Sequence, residues 1–153
     1  MELLIVLAIL SVLAGGVMVA FRGRQESHAV RTAAKDLAVA IRTGQRSAGQ
    51  RRRVYRVRFG SRFRSFRLEA AEEGSTGRFI SARGRAGTVR KMPTGVFVAE
   101  VMVEGGSIRP LPDSLEFGPD GSGFRGELQL MNRVQETVTV QVMERPGQAY
   151  VVQ

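Results

Sequence analysis

From Leu3 to Phe21 the chain contains no charged residue. Wound as an α-helix, this run measures roughly 28 Å, close to the thickness of a bilayer's hydrocarbon core. A helix of a soluble core would keep a polar stripe, and this run keeps none. The run therefore reads as a single-pass transmembrane stem. Gly15 and Gly16 interrupt it and mark a place where the helix bends or melts. A carboxylate, Glu2, stands at its head. Moved into lipid, such a charge costs a few kcal/mol unless something pairs with it. The helix dipole returns a fraction of that. Glu2 is thus either an exposed anion beside the headgroups or a charge in search of a partner amine.

Arg22 and Arg24 follow the run and nothing basic precedes it. Taken alone, that bias would hold the rest of the chain in the cytoplasm. A cleavable signal peptide fits poorly as well, because a basic n-region and a clean small-x-small site are both missing.

Past Phe21 the sequence turns polar but keeps a helical repeat. Val30, Ala33, Ala34, Leu37 and Ile41 recur at three- and four-residue spacing and form one apolar stripe. The first Pro is Pro93, so nothing blocks a long helix. The expectation is one helix from about Leu3 to about Ala48, with Gly44 and Gly49 as stop signals. Its second half is one-sided and must pack against something. His28 lies on the polar stretch and reads as a solvated residue.

From Arg51 the period changes to two. Tyr55, Val57 and Phe59 alternate with Arg56 and Arg58, and Phe66, Leu68 and Ala70 with Arg67 and Glu69. Further strand-like runs cover residues 96–103, Leu128/Leu130, Val138/Val140/Val142 and residues 150–152, separated by Gly, Pro, Asp and Ser clusters. One helix followed by many short strands is an α+β arrangement, with antiparallel sheets covered by the helix. Two units follow: an N-terminal transmembrane helix over residues 1–50 and a β-rich globular domain over residues 51–153.

The chemistry-bearing patterns are few. There is no Cys and a single His, which leaves no thiolate or histidine cluster for a metal or a nucleophile. Gly121-Ser122-Gly123-Phe124-Arg125-Gly126 satisfies the dinucleotide glycine pattern, but a period-two run follows it where a helix is required. Asp113, Glu116 and Asp120 lack the dense oxygen spacing of a calcium loop and read as turn residues. No carboxylate pair stands out as an acid/base couple. The expectation is a non-enzyme without cofactor or metal. Charge is the remaining signal: Lys and Arg total 23 against 14 acids, and only Lys35 and Lys91 are lysines. Arg51, Arg52, Arg53, Arg56 and Arg58, interleaved with aromatics further along, form a candidate contact for an anion or nucleic acid. The plainer reading makes them the wet face of the first strands, and the surplus charge also suits anionic lipids.

Glu2-Leu3-Leu4-Ile5-Val6-Leu7-Ala8-Ile9-Leu10 resembles the N-terminal helix of type IV pilins and type II secretion pseudopilins. In that family a prepilin peptidase removes a short basic leader ending in Gly, the new N-terminus is methylated, and the fifth mature residue is a glutamate. Glu2 matches that glutamate, which puts Met1 at the fourth mature position and a leader before it. Such a leader, held in the cytoplasm, would reverse the charge bias and send the C-terminal domain outward. Met92-Pro93-Thr94-Gly95-Val96 and Phe117-Gly118-Pro119-Asp120-Gly121-Ser122 are similar to a proline-glycine step and a hairpin of the H-type minor pseudopilins and related minor pilins, the GspH/FimT family. The short Val-rich strand after Pro146-Gly147 is similar too.

The resemblance implies a β-sandwich packed on the helix. It implies a structural subunit of a type II secretion pseudopilus, anchored by one pass in the inner membrane with its C-terminal domain in the periplasm. Its partners would be other pseudopilins or pilins, the membrane and the prepilin peptidase. Glu2, Leu3, Leu4 and Ile5 would serve subunit assembly, with Glu2 paired to a neighbour's N-terminal amine. The alternative within the family is a minor pilin that binds DNA during uptake or primes pilus assembly. The family's DNA-binding Gly-Arg-x-Arg element has only a partial likeness here, at Arg83-Gly84-Arg85-Ala86.

Overall fold

A computed structural model describes the backbone of residues 2–74, 77–103, 106–120, 122–143 and 147–152, with side chains continuously from Glu26 onward within those ranges. The helical repeat produces a single helix, α1 (Glu2–Arg51). The expected stop signals do not end it. Gly44 lies buried inside the last turns, where a Cβ would stand 3.0 Å from both Leu68 Cδ1 and the Phe117 ring. Its role is close approach of helix to sheet. The helix ends instead at Arg52, a non-glycine residue in the left-handed region at φ 49°. The Arg53 N–H then donates to the Ala48 carbonyl at 3.3 Å, the wrapped ending usually built on glycine.

The strands are β1 (Tyr55–Phe59), β2 (Ser65–Ala71), β3 (Phe79–Ser81), β4 (Arg90–Lys91), β5 (Phe97–Val103), β6 (Gly106–Ser107), β7 (Ser114–Phe117), β8 (Gly126–Met131), β9 (Thr137–Val142) and β10 (Ala149–Val152). They form two five-stranded sheets. The first has the order β3-β2-β1-β7, with β4 also paired to β2, and the second runs β10-β9-β8-β5-β6. All pairings are antiparallel. This is the α+β fold expected from the change of period.

Alternation fixes the inner faces. Tyr55, Val57 and Phe59 of β1, Phe66 and Leu68 of β2, and Leu115 and Phe117 of β7 are buried. So are Leu128 and Leu130 of β8 and Val138, Val140 and Val142 of β9. The helix stripe Val30, Ala33, Ala34, Leu37, Ile41 and Ala48 joins both sets in one core. Small residues dominate the stripe, so the helix sits close on the sheets. At roughly 25 cal/mol per Å² of apolar surface, this shared burial is the main term holding α1 to the sandwich.

Two turns carry the motifs singled out above. Val96 N–H donates to the Pro93 carbonyl at 3.0 Å, with Gly95 at φ 88°, where a side chain would be strained. After β7, Gly118 N–H donates to the Ser122 carbonyl at 2.7 Å, and Phe117 bridges to Gly123. Gly126 opens β8, so the glycine pattern there feeds a strand.

Candidate functional site

Direction along the chain places the charged residues. α1 ends at the far end of the sandwich from its stem, and β1 returns alongside it. Five extended residues span roughly 17 Å. The arginines that look contiguous in sequence are therefore distributed between the two ends of the sheet.

Arg51 and Arg52 lie exposed at the far end. Arg53 is half-buried there; its Nη2 donates to the Ala71 carbonyl at 2.8 Å, and Nη1 lies 3.5 Å from Glu73. Arg56 points outward from mid-strand and stands opposite Glu69 in register. Its Nε donates to Glu69 Oε2 at 2.7 Å, and its guanidinium stacks on the Phe79 ring, 3.8 Å from the centroid. Arg58 sits nearer the β1–β2 turn, directly opposite Arg67.

Glu69 is the hub of this face. Its side chain is 2% exposed although it lies on the outer side of the sheet. Oε1 accepts from Arg67 Nε at 2.7 Å and Nη2 at 2.6 Å, while Arg58 Nη1 lies 3.8 Å away. One carboxylate thus compensates the repulsion between Arg58 and Arg67, which face each other across the ladder. Alternation alone marks Glu69 as one more wet residue. The cross-strand register that surrounds it with guanidiniums was not legible, since it needs the pairing of β1 with β2.

The β1–β2 turn places Arg62 and Phe63 consecutively at φ 57° and 53°, an unusual conformation for non-glycine residues. Phe63 is held by its contact with Phe59, ring centroids 5.7 Å apart. Above the turn, Arg58, Gly60, Ser61, Ser65 and Arg67 line a cleft of about 340 Å³.

On the second sheet the outer face is polar and acidic, with Gln129, Thr139 and Gln141 beside Glu100 and Glu127. The β8–β9 turn fastens the sandwich to the helix. Asn132 Oδ1 accepts from the N–H groups of Val134 and Glu136, and Ser27 Oγ donates to the Glu136 carboxylate at 2.8 Å. At the other end, Gly147 N–H donates to buried Gln45 Oε1 at 3.0 Å. Among the expected turn residues, Asp120 Oδ1 accepts from Ser122 Oγ and from Ser122 N–H. Those two bonds hold its carboxyl below the usual value.

Two solved structures of the minor pseudopilin EpsH, from the type II secretion system of Vibrio cholerae, share this arrangement. One matches with a TM-score of 0.62 at 12% identity, over 80% of this chain and 95% of the other. The second matches with a TM-score of 0.61 at 14% identity, over 82% and 94%. The fold is that of a minor pseudopilin. No family profile matches the chain, and no curated protein matches it in sequence.

In this pseudopilin fold the assembly residues expected at Glu2, Leu3, Leu4 and Ile5 belong to α1, and their side chains lie outside those described. Most of the run from Leu3 to Phe21 does as well. Among the described residues no helix is long and apolar enough to cross a membrane.

Proposed function

We propose that this chain is a minor pseudopilin, a structural subunit without catalytic activity, built into a type II secretion pseudopilus. The observation that carries the reading is the agreement of the whole helix-and-two-sheet arrangement with EpsH across four fifths of the chain. The apolar run headed by Glu2 supports it independently.

In this reading Leu3 to Phe21 first lies in the inner membrane, with the sandwich in the periplasm. A prepilin peptidase processes the N-terminus before assembly. The stem then leaves lipid and packs among the stems of other pseudopilins. Within that apolar bundle a lone carboxylate is costly, and a neighbour's N-terminal amine compensates it. Leu3, Leu4 and Ile5 supply the adjoining packing surface.

Glu2→Leu tests the reading. The variant is expected to stay in the membrane fraction and to lose cross-linking to its partner pseudopilins. Unchanged incorporation of the variant would refute the role given to Glu2.

A further inference from the structure

The end of the sandwich that faces the stem is more basic than its sequence neighbours imply. Three connections meet there. The β1–β2 turn exposes Arg62 and Arg64, and Lys91 of β4 stands beside Ser65. The Arg64 carbonyl accepts from Met92 N–H at 2.8 Å, and the chain then runs to Gly95, where a Cβ would lie 2.9 Å from Arg133 Cγ. Arg133 and Val134 tip the β8–β9 turn, with Val134 56% exposed. Among the described residues, none of Arg62, Arg64, Lys91 and Arg133 lies within ion-pair distance of a carboxylate.

Two acids at this end are committed: Glu136 accepts from Ser27 and Asn132, and Asp36 lies 3.8 Å from Arg90. Glu26 Oε2 is buried with no hydrogen-bond partner among the described residues, so that carboxylate is withdrawn from the surface rather than paired. The opposite end mixes charges, with Glu72 and Glu73 beside Arg78 and Arg53.

We propose that this rim docks on an anionic lipid surface. The inference rests on the reading that Leu3 to Phe21 lies in a bilayer. Ser27, which holds the β8–β9 turn, is six residues past Phe21, roughly 9 Å along a helix. That is about one Debye length at physiological salt, so the rim senses the headgroup charge. Val134 is the apolar tip that meets the interface first. Arg58, opening on the cleft with Ser61 and Ser65, is placed to receive a headgroup phosphate. Each basic residue near such a surface strengthens the contact about fivefold. Lipid is favoured over nucleic acid because these basic groups lie at the stem end of the sandwich, and the Arg51–Arg53 group lies at the opposite end.

The chain has no Cys, so single labels are clean. The full chain, as Val134→Cys with a fluorophore, is reconstituted in phosphatidylcholine vesicles with or without phosphatidylglycerol, each carrying a headgroup quencher. Strong quenching with phosphatidylglycerol, reversed by salt, is expected, and little without it. A label at Glu73→Cys, at the far end, is expected to stay unquenched. Adding Arg62→Glu, Arg64→Glu and Arg133→Glu is expected to abolish the difference. If the chain floats with both vesicles but the Val134 label responds to neither, the docking is refuted and the stem reading stands. If it floats with neither, both fall. Quenching unaffected by the three charge reversals also refutes lipid docking.

Discussion

Glu69 offers the sharpest test of how the first sheet is held together. Its carboxylate is 2% exposed, while the side chains of Arg56, Arg67 and Arg58 are 21%, 38% and 51% exposed. Replacing Glu69 by Gln keeps the shape and removes the charge. Three guanidiniums then face one another across β1 and β2. Breaking a fully buried pair costs about 3–5 kcal/mol. Here Arg58 and Arg67 can turn toward water, so their share falls to that of surface pairs, up to about 1 kcal/mol each. Arg56 cannot do so as freely, being also stacked on Phe79. The expected loss is about 2–3 kcal/mol, or roughly 5–10 °C in melting temperature for a chain of this size. Thermal and urea unfolding of the full chain in detergent, followed by circular dichroism, measures it. A double-mutant cycle of Glu69→Gln with Arg56→Gln is expected to give a larger coupling than one with Arg58→Gln. The loss is also expected to persist at high salt, since screening reaches buried pairs weakly. An unchanged midpoint for Glu69→Gln, or equal coupling to Arg56 and Arg58, would refute the assignment of Glu69 as the anchor of this face.

Two further substitutions probe the seat of the helix. Arg52→Gly relieves a left-handed residue at the helix end and is expected to stabilise by about 1 kcal/mol, seen as a higher melting temperature; a lower one would contradict the wrapped ending. Gly44→Leu forces a side chain between α1 and the Leu68–Phe117 layer, and an overpacked core of this kind costs about 1–3 kcal/mol. Parent-like urea midpoints for that variant would mean the helix does not approach the sheet so closely.

Several elements were legible because their causes are local. The stripe from Val30 to Ile41 repeats at helical spacing, and only one helix face can be dry, so its burial followed from sequence. Alternation in residues 55–59, 65–71 and 137–142 set both the strand and its inner face for the same reason. The short strands β3, β4 and β6 were not legible. With two or three residues each, they carry too little period, and partner strands define them. Gly44 misled as a stop signal because glycine marks both a helix end and a close approach, and only the neighbouring chain distinguishes the two. Gly49, with open space around it, stands two residues before the last residue of α1.

The sequence by itself determined a leading apolar stem, a one-sided continuation of it, and a set of half-buried strands. Those depend on periodicity and on the cost of wetting apolar surface, both properties of short segments. Tertiary structure decided where the charges meet. Register between β1 and β2 brought Glu69 among three arginines, and strand direction sent Arg51–Arg53 and Arg62–Arg64 to opposite ends of one sheet. Coulomb energy depends on separation in space, which the order of residues along a chain does not fix until the strands have paired.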